Sequence, residues 1–314
     1  MHYSHNSNTL NYAYKESITC LVIRRIKIEL FKKITFSSLN FFFRPKDIIS
    51  FGPCVSGSHE PFISDLINHA SKSGFNNFLI DIGSNIGLTL CQSHLPFKEK
   101  FGFEPNPILF KVLEANVMLE NISNLKLFNV GIGTDNNSSE LIIPKHNWGG
   151  GFILDSGNSY ELELIAKKDG FKSFDPNNYL RLPINIRSGA EIFSKIFIGL
   201  EKSNLTNGVI KVDTEGYEQT IIKELIKSLP KNFKLFIIFE SWGDSGDLID
   251  FLKEQKNQNY KLFYSLKDSY YRDSPLRNIL RLLLNLLKGK YSVTTFFSTT
   301  PTSQSSDSVL IIEN

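Results

Sequence analysis

Cysteine is scarce in this chain. The 314 residues include three cysteines, Cys20, Cys54 and Cys91, which are odd in number and far apart. They form no CxxC pair and have no cluster of histidines beside them, so neither a disulfide scaffold nor a zinc site is indicated. We therefore expect a reducing compartment and a cytoplasmic protein.

Long apolar runs are also missing. The most leucine-rich stretch, residues 279–287, is interrupted by Arg281 and Asn285 and falls far short of the ~20 apolar residues of a spanning helix. Residues 1–8 are polar, and no apolar N-terminal run ends in a small-residue cleavage site, so we do not expect a secretory signal. The sequence predicts a soluble protein.

Charge of one sign is not in excess. Lys+Arg total 35 against Asp+Glu 32, a net charge of +3, which is too small to predict binding to a nucleic-acid backbone. We expect no nucleic-acid partner. The 41% of hydrophobic residues is enough for a large core, and the length fits one elaborated α/β domain or two domains.

Residues 21–34 stand apart from the rest because apolar positions at helical spacing alternate with basic ones. This segment is a basic amphipathic helix or, given its β-branched content, a strand. It either packs on the core or contacts an anionic membrane or a partner, and residues 277–288 are a second candidate for contact with a membrane or a partner. We expect residues 1–50 to be a partly helical N-terminal extension, and 51–314 one domain with a helix-plus-loop insertion at about 271–306.

Short apolar runs and helical patterns alternate after residue 51. This alternation at βαβ spacing predicts an α/β fold, with a doubly wound, mostly parallel, seven-stranded sheet covered by helices on both faces. Asn106 and Pro107 are a typical N-cap and first residue for the helix over 108–119. Residues 136–178 are long for a connection and indicate a substrate-facing insertion. The expected strands cover 77–82, 100–103, 125–130, 209–212, 235–239, 260–264 and 309–312, and helices are expected over 62–70, 88–94, 217–229 and 248–253.

Polar residues follow five of the expected strands. They occupy 81–87, 104–107, 129–131, 213–216 and 240–241. Ligands of doubly wound sheets bind outside the carboxyl ends of the strands, so these residues predict a binding cleft.

The first of these segments contains the glycine spacing GxxxG, at Gly83 and Gly87. Such glycines let the backbone turn sharply and approach a nucleoside-type ligand. The spacing differs from GxGxxG, and Asp81 would repel a pyrophosphate, so a cationic cofactor such as S-adenosylmethionine is favoured over NAD. Glu104 follows Gly83 at about the 20-residue spacing typical of a ribose-binding acid. The other expected cofactor-binding residues are Ser84, Asn85, Asn106 and Asn129.

Several motifs in this order resemble those of the FkbM-like S-adenosylmethionine-dependent methyltransferases. The motifs are FLIDIGSNIG at 78–87, GFEPNP at 102–107, NVGIG at 129–133, VIKVDTEGYE at 209–218 and IIFES at 237–241, with an upstream G-x-x-E at 57–60. The similarity covers about 52–242 and departs from the family at 187–191, where a Leu-Asp pair is usual.

The resemblance implies a class I Rossmann-like methyltransferase that acts on a hydroxyl of a saccharide or another small molecule. It also implies that Asp81, Gly83, Asn85 and Gly87 line the cofactor and that Glu104 holds its ribose.

Methyl transfer to an alkyl hydroxyl requires a general base or a metal. Asp213, Glu215 and Glu240 end neighbouring strands, and one of them is expected to take the proton. Three such carboxylates would also suit Mg²⁺ or Ca²⁺, although we do not predict a metal.

Two histidines are further candidates for the base. His59 qualifies if its turn folds over the cleft, and His146 lies on a glycine-rich loop. Glu218 is interpreted as a first-turn acid stabilised by the helix dipole.

Two other functions stay open at this point. One is an NAD-dependent nucleotide-sugar oxidoreductase, which would need a phosphate-binding glycine triplet that is not apparent. The other is a non-catalytic Rossmann scaffold that binds partners or membranes through residues 21–34 and 277–288. The oligomeric state is left open.

Overall fold

A computed structural model of the chain describes most of its residues. They are 9–31, 41–44, 47, 49–50, 52–53, 59–91, 96–155, 158, 161–241, 246–255, 259–267, 275–289, 292–300 and 307–313.

Strands and helices alternate along much of the described chain. The strands are β1 (Thr9–Ser17), β2 (Phe78–Ile82), β3 (Glu99–Phe103), β4 (Leu125–Phe128), β5 (Gly131–Gly133), β6 (Asn137–Pro144), β7 (Phe152–Ile153), β8 (Tyr179–Ser188), β9 (Asn207–Val212), β10 (Lys234–Glu240), β11 (Asn259–Lys267), β12 (Ser292–Ser298) and β13 (Asp307–Glu313). The α-helices are α1 (Ile18–Phe31), α2 (Pro61–Lys72), α3 (Pro107–Leu119), α4 (Leu162–Lys168), α5 (Gly189–Lys202), α6 (Glu218–Lys227), α7 (Gly246–Glu254) and α8 (Pro275–Leu287).

The main sheet has nine strands in the order β1-β12-β11-β13-β10-β9-β2-β3-β4. The five strands from β10 to β4 pair in parallel, and their order is the 3-2-1-4-5 arrangement of a doubly wound sheet. The other four strands pair antiparallel. The predicted α/β class is confirmed, but the strand count differs from the expected seven because β12 and β1 extend one edge.

Helices cover both faces of the sheet, as expected. Side chains of β2 alternate between the faces, so Phe78, Ile80 and Ile82 pack in one core with α5 and α6. Leu79 packs in the opposite core with α2 and α3. Because helices cover both faces, ligands can approach the sheet at the carboxyl ends of its parallel strands.

A second sheet is formed within residues 131–188, in the order β5-β8-β6-β7. Strands β6 and β7 belong to the segment 136–178 that we interpreted as an insertion, and β8 follows it directly. Strand β6 pairs with β8 along its whole length, and a short 3₁₀ helix at Trp148–Gly150 connects β6 to β7. The second sheet therefore has its own backbone pairing, and its glycine-rich loop, which contains Gly149 and Gly151, lies at the carboxyl ends of the parallel strands.

Some of the predicted helices are present in the structure, and one is not. Helix α3 begins as predicted, with the Asn106 side chain accepting hydrogen bonds from the backbone N–H groups of Ile108 and Leu109. Residues 18–31 are helical, and 32–34 lie outside the described residues. The helix expected over 88–94 is wrong as far as residue 91, since 88–91 form turns, and 92–94 lie outside the described part. Residues 88–91 are all buried, so they offer no exposed helix face.

The domain division stays a prediction. Strand β1, which precedes residue 51, is the edge strand of the main sheet, and residues 292–298 form the strand that it pairs with.

Candidate functional site

Two adjoining cavities lie at the carboxyl ends of β2, β3, β9 and β10. The Glu104 cavity is lined by groups from the end of β3, the second sheet and the loop after β9, among them Glu104, Asn106, Trp148 and Tyr217. The His59 cavity is lined by polar groups, among them His59, Glu60, Lys211 and Glu240. The two cavities share Gly83, Asn85, Gly149, Asp213 and Glu215 in their walls.

The glycine loop after β2 separates the cavities. Gly83 has a φ of 84°, and a β-carbon built there would lie 1.8 Å from the backbone oxygen of Asp213. The backbone N–H groups of Gly83 and Ser84 donate to the carbonyl of Phe103 at 2.9 Å. The loop therefore packs directly against the ends of β3 and β9, and only glycine fits at position 83.

Glu104 is buried under this loop at the end of β3. One carboxylate oxygen accepts from the backbone N–H of Asn85 at 2.7 Å, and the other accepts from that of Asn106 at 2.8 Å. Burial raises the pKa of Glu104 to about 7, although the two backbone hydrogen bonds act in the opposite direction. The geometry fixes both oxygens in place and leaves each with further capacity to accept a hydrogen bond.

Three polar atoms in the wall of the Glu104 cavity have no partner among the described residues. They are the side-chain oxygen of Asn85, the side-chain nitrogen of Asn106 and the indole nitrogen of Trp148, and all three are buried. Buried polar groups are normally hydrogen-bonded, so unpartnered ones around a cavity indicate a site for a polar ligand.

The loop between β6 and β7, residues 145–151, is called the Trp148 loop. It forms one wall of the Glu104 cavity and is held by residues near the N-terminus. The Arg44 guanidinium lies over the indole at 4.1 Å from the ring centre. Buried Asp47 accepts from the backbone N–H of Trp148 at 3.1 Å and pairs with Arg44 at 3.0 Å. Arg44 also donates to the carbonyl of Lys145 at 2.7 Å. The tryptophan is therefore fixed from two directions.

Lys211 is a buried cation that the sequence analysis missed. Its Nζ lies 2.8 Å from the carboxylate of Asp213 and 4.0 Å from those of Asp81 and Glu60. Burial lowers the pKa of Lys211, but these carboxylates outweigh it and hold the pKa above its usual range. A charged residue inside the otherwise apolar strand 209–212 was the available signal.

Asp81 lies beneath this lysine and is fully buried. Burial raises its pKa to about 7 even though Lys211 favours the charged form. It contributes to the wall of neither cavity. Asp81 therefore offsets part of the Lys211 charge from the protein interior and not from a cavity wall.

Glu218 holds the loop between β9 and α6. Its carboxylate accepts from the backbone N–H of Thr214 at 2.7 Å and of Gly216 at 3.0 Å. Burial raises the pKa of Glu218 to about 7. The carboxylate thereby fixes Asp213 and Glu215, the latter at a left-handed φ of 54°, at the junction of the cavities.

His59 lines the second cavity. Its Nε2 lies 3.6 Å from a carboxylate oxygen of Glu60. Burial, followed by the charge of Lys211, lowers the pKa of His59 to about 4, so the imidazole is neutral at pH 7. Glu240, at the end of β10, lines the same cavity.

Of the remaining predicted residues, Ser84 lines the His59 cavity, whereas Gly87, Asn129 and His146 lie near the site without forming its walls. The Ser84 hydroxyl donates to the carbonyl of Asp81, and the Asn129 amide donates to that of Glu104, both at 2.7 Å. Gly87 packs against Leu113. His146 pairs instead with the carbonyl of Asp169 at 2.7 Å, outside both cavities.

The carboxylates at the strand ends would suit a metal ion, although the sequence predicts none. In the described part of the chain, His, Cys, Asp and Glu form no group of three or more that could hold a metal ion.

No protein-family model matches the chain. Among curated proteins it is similar to "Methyltransferase 1" of Beauveria bassiana (strain ARSEF 2860), with 28% identity over 156 residues. The match covers 48% of this chain and 59% of the relative, so it spans little more than half of the relative's length.

The likeness to solved structures is distant. A precorrin-6y C5,15-methyltransferase from Geobacter metallireducens GS-15 has a TM-score of 0.36 and 9% identity, over 81% of this chain and 87% of that one. An rRNA methylase from Streptococcus thermophilus has a TM-score of 0.32 and 7% identity, over 76% and 92%. Our expectation of no nucleic-acid partner stays a prediction.

Proposed function

We propose that this chain is an S-adenosylmethionine-dependent methyltransferase of the FkbM-like kind, which methylates a hydroxyl group of a saccharide or another small molecule. The observation that carries the proposal is Glu104, a buried strand-end carboxylate fixed under a glycine loop and surrounded by unpartnered polar atoms. The similarity to Methyltransferase 1 supports the same class.

The residues of the Glu104 cavity suit a nucleoside. The free acceptor capacity of Glu104 matches two ribose hydroxyls, and the unpartnered atoms of Asn85, Asn106 and Trp148 offer one acceptor and two donors to further polar groups. Asp213 and Glu215 add negative charge at the junction of the two cavities. S-Adenosylmethionine, when bound, supplies a methyl group on a positively charged sulfonium.

The His59 cavity suits a hydroxylated acceptor. His59, Glu60, Asp213, Glu215 and Glu240 contribute hydrogen-bond acceptors to it or to its rim. Sugar hydroxyls are donors that such groups orient well. This acceptor-rich wall supports a saccharide or a similar polyol as the acceptor.

We assign the proton to His59. Its ring is neutral at pH 7 and can accept a proton, and an imidazolium formed there would face the Glu60 carboxylate at 3.6 Å, which offsets part of the basicity that burial removes. Asp213 is paired with Lys211, which weakens it as a base, so its role is to orient the acceptor hydroxyl. Glu215 and Glu240 are assigned to binding of the acceptor.

Calorimetry tests the cofactor assignment. Glu104→Ala removes the acceptors of two hydrogen bonds, each worth about 1 kcal/mol, so the affinity for S-adenosylmethionine should fall tenfold or more. Glu114→Ala, at a surface carboxylate that pairs with Lys111, is the matched control and should bind as the wild type does. Unchanged affinity in Glu104→Ala, or saturable binding of NAD instead, would refute the assignment.

Turnover tests the base. The protein is incubated with labelled S-adenosylmethionine and a library of hydroxylated sugars and lipids, with and without a chelator. With an acceptor found in this way, His59→Gln should lower the rate by 10²–10⁴-fold, in the range of general-base catalysis, while cofactor affinity stays unchanged. A His59→Gln variant with wild-type turnover removes His59 from this role. Loss of activity in the chelator would instead show a metal requirement.

A further inference from the structure

Helices α1 and α8 pack against each other at the edge of the main sheet. Ile18 of α1 and Leu282 of α8 are buried in a small core of their own, against which Leu21, Val22 and Leu286 pack. These five residues define the seam of the helix pair.

The two helices run antiparallel. Strands β1 and β12 pair antiparallel, and Ser17 is the partner of Ser292. Helix α1 leaves the sheet directly after Ser17, whereas α8 approaches it and ends shortly before Ser292. One helix therefore runs away from this point and the other runs towards it.

Each helix also presents apolar side chains that the seam does not cover. Leu276 and Leu287 are 80% and 84% exposed. The exposed apolar residues are Ile23, Ile26 and Leu30 on α1, and Leu276, Leu280, Leu283, Leu284 and Leu287 on α8. We call these eight residues the apolar patch.

The two halves of the patch lie on one side of the helix pair. At roughly 100° per residue, the exposed residues of each helix are centred about 120° from its seam residues, in the same rotational sense. In an antiparallel pair, equal rotation in the same sense from the seam points the exposed residues of both helices to the same side of the helix pair. Monomeric proteins rarely expose so many large apolar side chains together, so the patch indicates an interaction surface.

Basic residues outnumber acidic ones in the two helices that carry the patch. The sequence of the two helices and the residue after α8 contains one acidic residue, Glu29, and six basic residues, which are Arg24, Arg25, Lys27, Arg277, Arg281 and Lys288. Lys27 and Lys288 are exposed, and Arg24 pairs with Glu16. An excess of positive charge opposes the approach of a second copy of the same surface and attracts an anionic one.

The patch lies beside β1, the outermost strand of the main sheet, at the same end of the strands as the two cavities. Alternating antiparallel pairings from β10 through β13, β11 and β12 give β1 the same direction as β10. The end of β1, where α1 begins, is therefore at the carboxyl end of the parallel strands. With strands ~4.8 Å apart, it lies on the order of 20 Å from the end of β10.

We propose that α1 and α8 form one docking surface that lies in the headgroup region of an anionic lipid bilayer. Exposed leucines and isoleucines enter the boundary between headgroups and acyl chains, and the surrounding lysines and arginines face the anionic headgroups. No helix in the described ranges is long and apolar enough to cross a bilayer, so the contact is peripheral. Docking in this way holds the cavity-bearing edge of the sheet near the membrane.

Vesicle sedimentation tests the proposal with the full chain. The protein should sediment with vesicles of phosphatidylcholine and phosphatidylglycerol, less with phosphatidylcholine alone, and the bound fraction should fall with added salt. The double variant Leu280→Asp, Leu283→Asp should lose binding. Lys27→Gln and Lys288→Gln should each weaken it about fivefold.

Met118→Asp is the matched control, since Met118 is 80% exposed on α3, outside the patch. It should bind vesicles as the wild type does. Circular dichroism checks that every variant is folded, and S-adenosylmethionine binding is measured separately, so failure of one proposal does not imply failure of the other.

Two results would overturn the proposal. One is the absence of sedimentation with either kind of vesicle, or equal sedimentation with both. The other is a dimer in light scattering that Leu280→Asp, Leu283→Asp disperses, because the patch would then be covered by a second copy of the chain.

Discussion

Gly83 is the residue at which backbone conformation and packing leave least freedom. Its φ of 84° is a left-handed value, and its missing β-carbon makes room for the Asp213 carbonyl. We expect Gly83→Ala to lower the free energy of unfolding by more than about 3 kcal/mol, measured by urea denaturation.

Gly74→Ala separates backbone strain from the steric clash. Gly74 also has a left-handed φ, of 104°, but no atom lies within 4 Å of a β-carbon built there. This variant should lose only about 1–2 kcal/mol. Equal losses at the two positions would show that the contact with Asp213 is unimportant.

Single residues of the site differed in how well the sequence revealed them. Glu104 and Asn106 could be placed from strand-end position and helix capping, which are local patterns. Lys211 could not, because its role depends on carboxylates from three separate segments, at Glu60, Asp81 and Asp213. His146 has the right chemistry, but tertiary packing directs it to the Asp169 carbonyl.

At the scale of elements, the Trp148 loop depends on a segment about a hundred residues earlier. Arg44→Ala removes a cation–π contact worth about 0.5–1 kcal/mol, a hydrogen bond worth about 1 kcal/mol and the ion-pair partner of buried Asp47. We expect a loss of about 2–4 kcal/mol in unfolding free energy and a red shift of Trp148 emission. The measurement uses a Trp242→Phe background, since the chain has two tryptophans.

Lys111→Ala is the control for this loop, because Lys111 lies over the Phe110 ring at 5.8 Å on the outer side of α3. Its removal should change neither stability nor emission. Wild-type emission in Arg44→Ala would show that Asp47 alone fixes the loop.

The elements that sequence patterns revealed are those with a strong period. The parallel strands are apolar runs because helices cover both of their faces, and α3 has clear cap residues. Strands β1 and β12 were not predicted because they are rich in polar and hydroxyl side chains. Their pairing is settled by partners distant in sequence, which local periodicity cannot show.

At the scale of the whole molecule, buried carboxyls make stability depend on pH. Burial raises the pKa of Glu104 and Glu218 to about 7, whereas an unfolded glutamate titrates near 4.3. Between these values the folded state binds more protons than the unfolded state, so stability decreases as the pH rises. The contribution is fully present below about pH 4.3 and is lost as the pH passes about 7. Asp81, with a pKa also raised to about 7, adds to this change, and His59, with a pKa lowered to about 4, offsets part of it.

We therefore expect a lower free energy of unfolding at pH 7.5 than at pH 5, with up to about 3 kcal/mol from each of Glu104 and Glu218. Glu218→Gln is neutral at both pH values, so its unfolding free energy should change less between them than that of the wild type. Glu114→Gln, at the surface, should retain the full wild-type change. If Glu218→Gln retained it as well, Glu218 would be ionised in the folded protein, and its hydrogen bonds to Thr214 and Gly216 would outweigh the cost of burial.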